Sequence, residues 1–460
     1  MSGLFGSLST ALSALIASQQ ALETTANNVA NANTPGYARE RPVLVPGDPV
    51  TLGNWTFGTG VVLEKLQSLR DPLLDLRVSQ AMQDQGKLNT ALGALQQLQV
   101  MFSSTDSGIG DAITKLFDSF QQLSADPSNL SLRQGVLTAA GNLATAFNTN
   151  AQNLQSQRNN LNLNVGQTVD EINTLTGQIA SLDQQIANLE NVGEDASAFV
   201  DQRTNLIQQL SGLIDVQTIQ TENGITLTTS AGIPLVSQGR NFELTTQVSV
   251  GGMLHVFSQG ADITTNLTSG KLAALIEVRD QTIPGIQDDL DQLAGSLASA
   301  LNAANHQGYD LGGNLGGVIF ATPPAGNVGA AAGMSVSMSD PALLAASSDG
   351  SAGSNGNIAN FMAVHDNPLV NGQSPTEYYS SIVFQVGSDT SNASADLDAA
   401  SQILQQLQDQ QNSVSGVSLD EEAANMVQYQ TAYQAAARVV STIQALLLDA
   451  VNLGASAIQQ

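Results

Sequence analysis

LFGSLSTALSALIASQQALETTANNVANANTPGYAR spans Leu4–Arg39, and its reading decides the fold. Met1, Phe5, Leu8, Leu12, Leu15, Gln19, Leu22, Ala26 and Val29 recur at alternating intervals of four and three. That is the a/d seam of a coiled-coil helix. Leu4 and Ile16 widen the seam, and Glu23 is the only charge before Arg39. The helix then stops. Pro35 disfavours helical angles at Thr34 and has no N–H to donate. Pro35-Gly36 suits the centre of a type II turn, with Gly36 taking the positive φ. Asn31 and Asn33 tolerate left-handed backbone and can bond the freed backbone groups. An ordinary helix C-terminus explains this local chemistry. It does not explain a long helix so nearly free of charge.

The other end of the chain has the same character. Ser418 and Glu421 form a capping box, and Asp420, Glu421 and Glu422 favour the positive end of a helix dipole. Two adjacent 4-3 seams follow. One runs through Tyr429, Ala432, Ala436, Val439, Ile443, Leu446, Ala450 and Leu453; the other through Met426, Tyr433, Ala437, Val440, Leu447 and Val451. Two seams predict a helix buried against more than one neighbour. The end helices would expose apolar, uncharged surface if left as a lone pair. They are expected to pair as a coiled coil and to become ordered as many copies pack side by side.

Composition agrees with this division of labour. The 460 residues are 12% charged and 4% aromatic, with a net charge of −26. Residues 1–38 carry −1, residues 423–460 carry 0, and the middle carries −25. Such a balance argues against nucleic acid or an anionic membrane as partner, because both repel it. The chain has no Cys, so disulfides and thiolate metal sites are excluded. No run approaches ~18 consecutive apolar residues, so no membrane insertion is expected. The first basic residue is Arg39, so the positive start of a cleaved secretory signal is missing and export would need another route.

Between the ends, Pro42–Val45 and Gly58–Leu69 read as short strands. Asp71-Pro72 reads as an N-cap followed by Pro at the first helical position, opening a helix to about Met101, and Asp126-Pro127 repeats the device. Leu132–Leu189 is expected to be a rod of roughly 80–90 Å, turning at Asn191–Asp195 into a returning helix over Phe199–Ile214. Val216–Leu267 alternates as a β region, with Asn223-Gly224 as a hairpin signal. Lys271–Ala304 is helical with a break at Ile283-Pro284, Gly308–Ser354 is mostly loop, and Glu377–Val386 and Ala395–Gln411 are helical again. The fold class expected is mainly α with a smaller β part: paired terminal helices, a long helical-bundle middle domain and a small β-rich outer domain. The expected domains are 1–40 with 415–460, 41–215 with 270–310 and 377–414, and 216–269 with 311–376.

Catalytic chemistry finds no support in the residues. His255, His306 and His365 have no neighbouring ligand at metal spacing. Gly270-Lys271 lacks the rest of a phosphate loop, and there is no G-x-S-x-G elbow. Asp288, Asp289 and Asp291 read as the solvated face of a helix. No catalytic, metal or cofactor-binding residue is assigned.

Asn27–Arg39, with Asn27, Asn28, Asn31, Asn33, Pro35, Gly36 and Tyr37, resembles the N-terminal signature of bacterial flagellar rod, hook and hook-associated proteins. Further stretches narrow the resemblance to the hook-associated protein 1 family, which forms the first hook–filament junction. They are Ser107–Val136 with Phe117-Asp118-Ser119-Phe120 and Arg133-Gln134, Asp201-Gln202-Arg203, Glu277-Val278-Arg279-Asp280, His306-Gln307-Gly308-Tyr309-Asp310 and Tyr378-Tyr379. The most specific is Ser415–Ala424 with Tyr429-Gln430 and Ala432–Arg438. The chain looks compact for that family, with little room for a large outer insertion.

The resemblance implies a structural subunit with no cofactor, exported through the flagellar type III apparatus to an extracellular place in the flagellum. It implies as partners the chain itself in a lateral ring, the hook protein, the next hook-associated junction protein, and an export chaperone on the C-terminal region. Phe5, Leu8, Leu12, Leu15, Leu22 and Val29 are the expected assembly residues of the first helix. Met426, Tyr433, Ala437, Val440, Ile443, Leu446, Leu447 and Val451 are those of the last. A rod or hook subunit, a secreted coiled-coil adhesin or effector, and a cell-wall hydrolase on an axial scaffold are the rival readings. The last needs a catalytic carboxylate or Cys/His site, which the residues do not supply.

Overall fold

The computed structural model describes residues 2–52, 55–102, 108–221 and 224–458. Met1, Ser107 and Asn223, used in the sequence reading, lie outside these residues, as does the side chain of Leu453. A long first helix, α1 (Ser2–Asn31), leads into β1 (Glu40–Pro46). A small hairpin of β2 (Val50–Leu52) and β3 (Trp55–Phe57) precedes β4 (Val61–Ser68). Helices α2 (Pro72–Phe102), α3 (Ile109–Ala125), α4 (Leu130–Val192) and α5 (Ser197–Leu213) follow. Next come β5 (Gln217–Thr221), β6 (Gly224–Thr228), β7 (Pro234–Ser237) and β8 (Arg240–Asn241), then β9 (Leu244–Val248), β10 (Leu254–Ser258) and β11 (Ala261–Asp262). The remaining α-helices are α6 (Gly270–Glu277), α7 (Ile283–His306), α8 (Ala330–Gly333), α9 (Ile358–Asp366), α10 (Pro375–Ser415) and α11 (Leu419–Ile458), with a largely irregular stretch over 307–357.

The chain divides into two compact units, one of residues 1–83, 172–244 and 401–460, the other of residues 84–171 and 245–400. The expected terminal region, 1–40 with 415–460, falls wholly in the first. The expected middle and outer regions are each shared between the two.

In the first unit, α1 packs along α11 and also against the β1–β4 ribbon. The ribbon is antiparallel, with Glu40 opposite Ser68 and a register shift between Val43 and Leu44. It is pinned to α1 at Gly60, where φ is +104° and an added Cβ would lie 2.0 Å from Ser13 Oγ. The Ser13 hydroxyl donates to Thr59 O at 3.3 Å and accepts from Val61 N at 3.4 Å. Val78 and Ala81 of α2 form a small core with Leu404 of α10. The C-terminal part of α4 buries Ile172, Ile179 and Ile186, and α5 buries Ile207 and Leu210. Asp183 of α4 pairs with Arg203 of α5 at 2.6 Å, both buried. Sheet β5-β6-β7-β8 is tied to α4 where Gln184 Nε2 donates to Gly239 O at 2.6 Å.

The second unit has its own core. Phe120 of α3 stacks on Phe361 of α9 with ring centroids 4.3 Å apart, and Phe117 meets His365 edge-on at 4.8 Å. Arg133 is fully buried and donates to Pro127 O and Leu344 O. Arg279, also fully buried, holds Asn162 Oδ1 at 2.9 Å and Leu254 O at 2.8 Å, tying α4 to β10. The motif residues Arg133 and Arg279 thus satisfy backbone groups that would otherwise be buried unpaired.

Several expectations need correction. Asp126-Pro127 does not cap α4. Asp126 ends α3, and Asn129 caps α4, its Oδ1 accepting from Ser131 N at 2.9 Å. Asp71 does cap α2, accepting from Leu73 N at 2.9 Å. The rod is unbroken over 63 residues, about 94 Å at ~1.5 Å per residue. Ile283-Pro284 is not a break. A π-helical turn over Val278–Thr282 carries the chain from α6 into α7, with Pro284 just beyond it, a place where a locally widened helix accommodates a residue that cannot donate. Glu377–Val386 and Ala395–Gln411 belong to one helix, because Gly387–Asn392 has the polarity of a loop but stays helical. Helix α9 was not expected. Asp289 and Asp291 are more than a solvated face: Asp289 accepts from Tyr378 OH at 2.8 Å, and Asp291 accepts from Gly329 N at 2.6 Å and Ala331 N at 2.8 Å.

Candidate functional site

The site is built at the turn that ends α1. Thr34 to Tyr37 closes as expected: Tyr37 N donates to Thr34 O at 3.2 Å, and Gly36 has φ +78°. Asn31 Nδ2 donates to Asn27 O at 3.1 Å, a carbonyl already inside α1, and neither Asn31 nor Asn33 adopts positive φ. The turn sends the chain back so that Tyr37, Arg39 and Glu40 lie beside α1's last turn.

Asn28 sits at the centre, 1% exposed. Its Nδ2 donates to Glu40 O at 2.8 Å and to Glu422 Oε2 of α11 at 3.2 Å. Its Oδ1 accepts from Glu40 N at 3.0 Å and from Tyr37 OH at 2.8 Å. One amide therefore joins α1, the turn, β1 and α11. Burial, then the nearby charges of Glu40, Asp201 and Glu422, raise the Tyr37 pKa, so its hydroxyl keeps the proton it donates.

Arg39 closes the site from the other side. Its Nε lies 2.7 Å from Glu422 Oε1 and its Nη1 2.5 Å from Glu421 Oε2. Its backbone N donates to Ser415 O at 2.8 Å. Burial works against the Arg39 charge, but Glu421 and Glu422 outweigh it and its pKa is raised. Of the expected capping box only the Ser418 half forms, Glu421 N lying 3.5 Å from Ser418 Oγ. The two glutamate side chains are turned to Arg39.

A second tier supports the turn. Asp201 accepts from Ala38 N at 2.8 Å and from Arg70 Nη2 at 2.8 Å. Arg70 also donates to Gly36 O at 2.9 Å and lies 3.2 Å from Asp75, whose other oxygen accepts from Gln411 at 2.5 Å. Glu40 differs from these. It is 6% exposed, and no hydrogen bond reaches its carboxyl among the described residues. Burial first, then the charges of Asp195 and Asp201, push its pKa up to about 7. Burial also raises Asp201, against the pull of its Ala38 and Arg70 partners.

The structure separates the expected assembly residues by exposure. On α1 the buried face is small and polar: Ala11, Ala17, Ser18, Ala21, Thr24, Thr25 and Asn28. Leu8, Leu15 and Leu22 are half-buried at its flank, while Phe5, Leu12, Ile16 and Val29 are exposed, Phe5 by 59%. On α11 a single row turns inward: Met426, Tyr429, Tyr433, Ala436, Val440, Ile443, Leu447 and Ala450. It alternates between the two seams read from the sequence. Ala437 is half-buried beside it, and Val427, Val439, Leu446, Leu448 and Val451 are exposed. Of the signature, Asn28 is buried, Asn31 and Tyr37 are half-buried, and Asn27, Asn33, Pro35 and Gly36 are exposed.

Sequence reading missed the Arg39 clamp and the supports Arg70, Asp75, Asp201 and Glu40. One signal was present. Arg39 is the first basic residue of the chain, and Glu421-Glu422 stand at the start of the last helix. Among the described residues no cluster of His, Asp or Glu could hold a metal, and no helix is long and apolar enough to cross a membrane.

Both ends match flagellar families. Residues 8–37 fit the family described as Flagella basal body rod protein, and residues 408–453 the Flagellar basal body rod FlgEFG protein C-terminal. The paired ends are thus those of a flagellar axial protein. Residues 95–320 match the Flagellar hook-associated protein FlgK helical domain. The chain is 31% identical over 505 aligned residues to Flagellar hook-associated protein 1 of Bacillus subtilis (strain 168), with 99% of each covered. It is 25% identical over 543 to the protein of the same name from Escherichia coli (strain K12), with 97% of this chain and 99% of that one covered. The structure of the flagellar hook junction protein FlgK from Burkholderia pseudomallei shares the fold, with TM-score 0.67 at 19% identity over 74% of this chain and all of that one. This chain belongs to the flagellar hook-associated protein 1 family.

Proposed function

We propose that the protein is a non-catalytic adaptor at the hook–filament junction, needed for filament assembly. One observation carries the reading. The paired end helices leave Phe5, Leu12, Ile16, Val427, Val439, Leu446 and Leu448 in water on faces that hold almost no charge. Such faces are stable when other protein covers them. In this reading residues 1–40 with 415–460 form the inner wall of a tube and copies pack laterally through α1 and α11. Residues 41–215, 270–310 and 377–414 form a helical middle domain, and 216–269 with 311–376 an outer one. Hook protein and the next hook-associated protein occupy the two axial faces. A chaperone holds the C-terminal region before export through the flagellar type III apparatus, and the assembled protein is extracellular.

Deletion of the gene is expected to leave hooks visible by electron microscopy, flagellin shed into the medium and cells unable to swim. Attached filaments in the deletion strain would refute the junction role.

A further inference from the structure

The two end helices are not wholly free of charge. Glu23 is the single charge of residues 1–38, and Arg438 is the single basic residue of residues 423–460. Both are exposed. Among the described residues Glu23 has only Gln19 as a partner, its Oε1 accepting from Gln19 Nε2 at 3.0 Å, and no ion pair involves Arg438. Each stands on an outer face. Glu23 continues the exposed row Phe5, Leu12, Ile16 and Gln19. Arg438 is two residues from each of Ala436 and Val440, which places it on the face of α11 opposite the row that meets α1.

They cannot meet within one chain. The Asn28–Glu422 bond joins the end of α1 to the start of α11, so the two helices run antiparallel. Glu23, five residues before Asn28, stands level with about residue 427 of α11. Arg438 lies eleven residues further along, roughly 16 Å at ~1.5 Å per residue. If the outer faces are covered by other copies, as in the function proposed above, each charge leaves water. A buried unpaired charge is costly, and a pair of opposite charges on facing helices is the arrangement that avoids it.

We propose that Glu23 of one copy pairs with Arg438 of a neighbouring copy, and that this contact sets an axial stagger of about 16 Å between them. Opposite charges at one level discriminate between registers, which uniform apolar faces cannot do.

The test is charge exchange in a strain lacking its own copy, reading incorporation by immunoblot of purified flagella. Glu23→Arg and Arg438→Glu should each lower incorporation at least ten-fold, and the double variant should recover to within about three-fold of wild type. Both residues are exposed, so circular dichroism of the monomers should be unchanged. Because the chain has no Cys, mixed Glu23→Cys and Arg438→Cys chains give an independent readout: a short bismaleimide should join them as heterodimers in assembled flagella only. Leu12→Asp serves as the control for the underlying reading. If Leu12→Asp incorporates normally, lateral packing through these faces is wrong. If Leu12→Asp is blocked while the single charge variants incorporate as wild type, the pair alone is wrong. Recovery of Arg438→Glu by Asp449→Arg but not by Glu23→Arg also overturns it.

Discussion

Replacing Glu40 by Gln tests the chemistry of the buried turn in a way that pH can read. Glu40 is 6% exposed, no hydrogen bond reaches its carboxyl among the described residues, and Asp195 and Asp201 lie close enough to oppose its ionisation. Its pKa rises from 4.5 in the unfolded chain to about 7 in the folded one. Between those values the folded chain holds a proton that the unfolded chain has lost, so stability falls as pH rises through the window. The contribution is fully present below about pH 4.5 and gone above about pH 7. At about 1.4 kcal/mol per pH unit the whole effect is at most about 3.5 kcal/mol, and partial solvent relaxation reduces it to about 2. Gln keeps the shape and cannot ionise. Glu40→Gln should therefore match wild type near pH 4.5 and exceed it by about 2 kcal/mol at pH 8. Urea unfolding at the two pH values, followed by far-UV circular dichroism, reads this directly. A stability difference between variant and wild type that is the same at both pH values would refute the assignment of a buried, proton-holding Glu40.

Asn28→Ala removes four side-chain hydrogen bonds and leaves Glu40 N, Tyr37 OH and Glu422 with fewer partners. Its cost should be about 3–4 kcal/mol in the same unfolding assay, and a loss under 1 kcal/mol would mean that water replaces the amide. Hydrogen exchange of the monomer should show graded protection along the end helices, highest beside Asn28 and Glu422 and lowest toward Leu4 and Leu448. Flat protection along either helix would contradict a site that anchors only one end of the pair.

The period of both end helices was legible, but the phase was not. Phe5, Leu12 and Val29 and the small residues Ala11, Ala14, Ser18, Ala21, Thr25 and Asn28 share one heptad spacing on different faces. Periodicity favours the larger side chains by transfer energy. The fold instead buries the small face, because α1 is covered by both α11 and the β1–β4 ribbon and only short side chains allow two neighbours so close. On α11 the same ambiguity produced two candidate seams, and the buried row borrows alternately from each. The turn was read correctly because Pro35 and Gly36 act locally. Asn28, by contrast, was visible only as one letter of a signature. Its partners Glu40 and Glu422 are separated from each other by most of the chain, and nothing local encodes that they meet.

The clamp gives the sequence's odd distribution of charge a physical reason. Arg39 and Glu421-Glu422 are held together where the end helices join the rest of the first unit, while the outer faces beyond them carry only Glu23, Arg438 and Asp449. Charge at the joint is paired and hydrogen-bonded inside one chain, so it costs little there and fixes α1 against α11 in a single register. A fixed register is what turns two apolar helices into one patterned surface. If α11 slid by one turn against α1, the exposed rows of Phe5, Leu12 and Ile16 and of Val439 and Leu446 would still be apolar, but they would no longer stand at matching levels. Specific assembly between copies therefore depends on polar chemistry that lies wholly within each copy, at the turn where the charge-free helix stops.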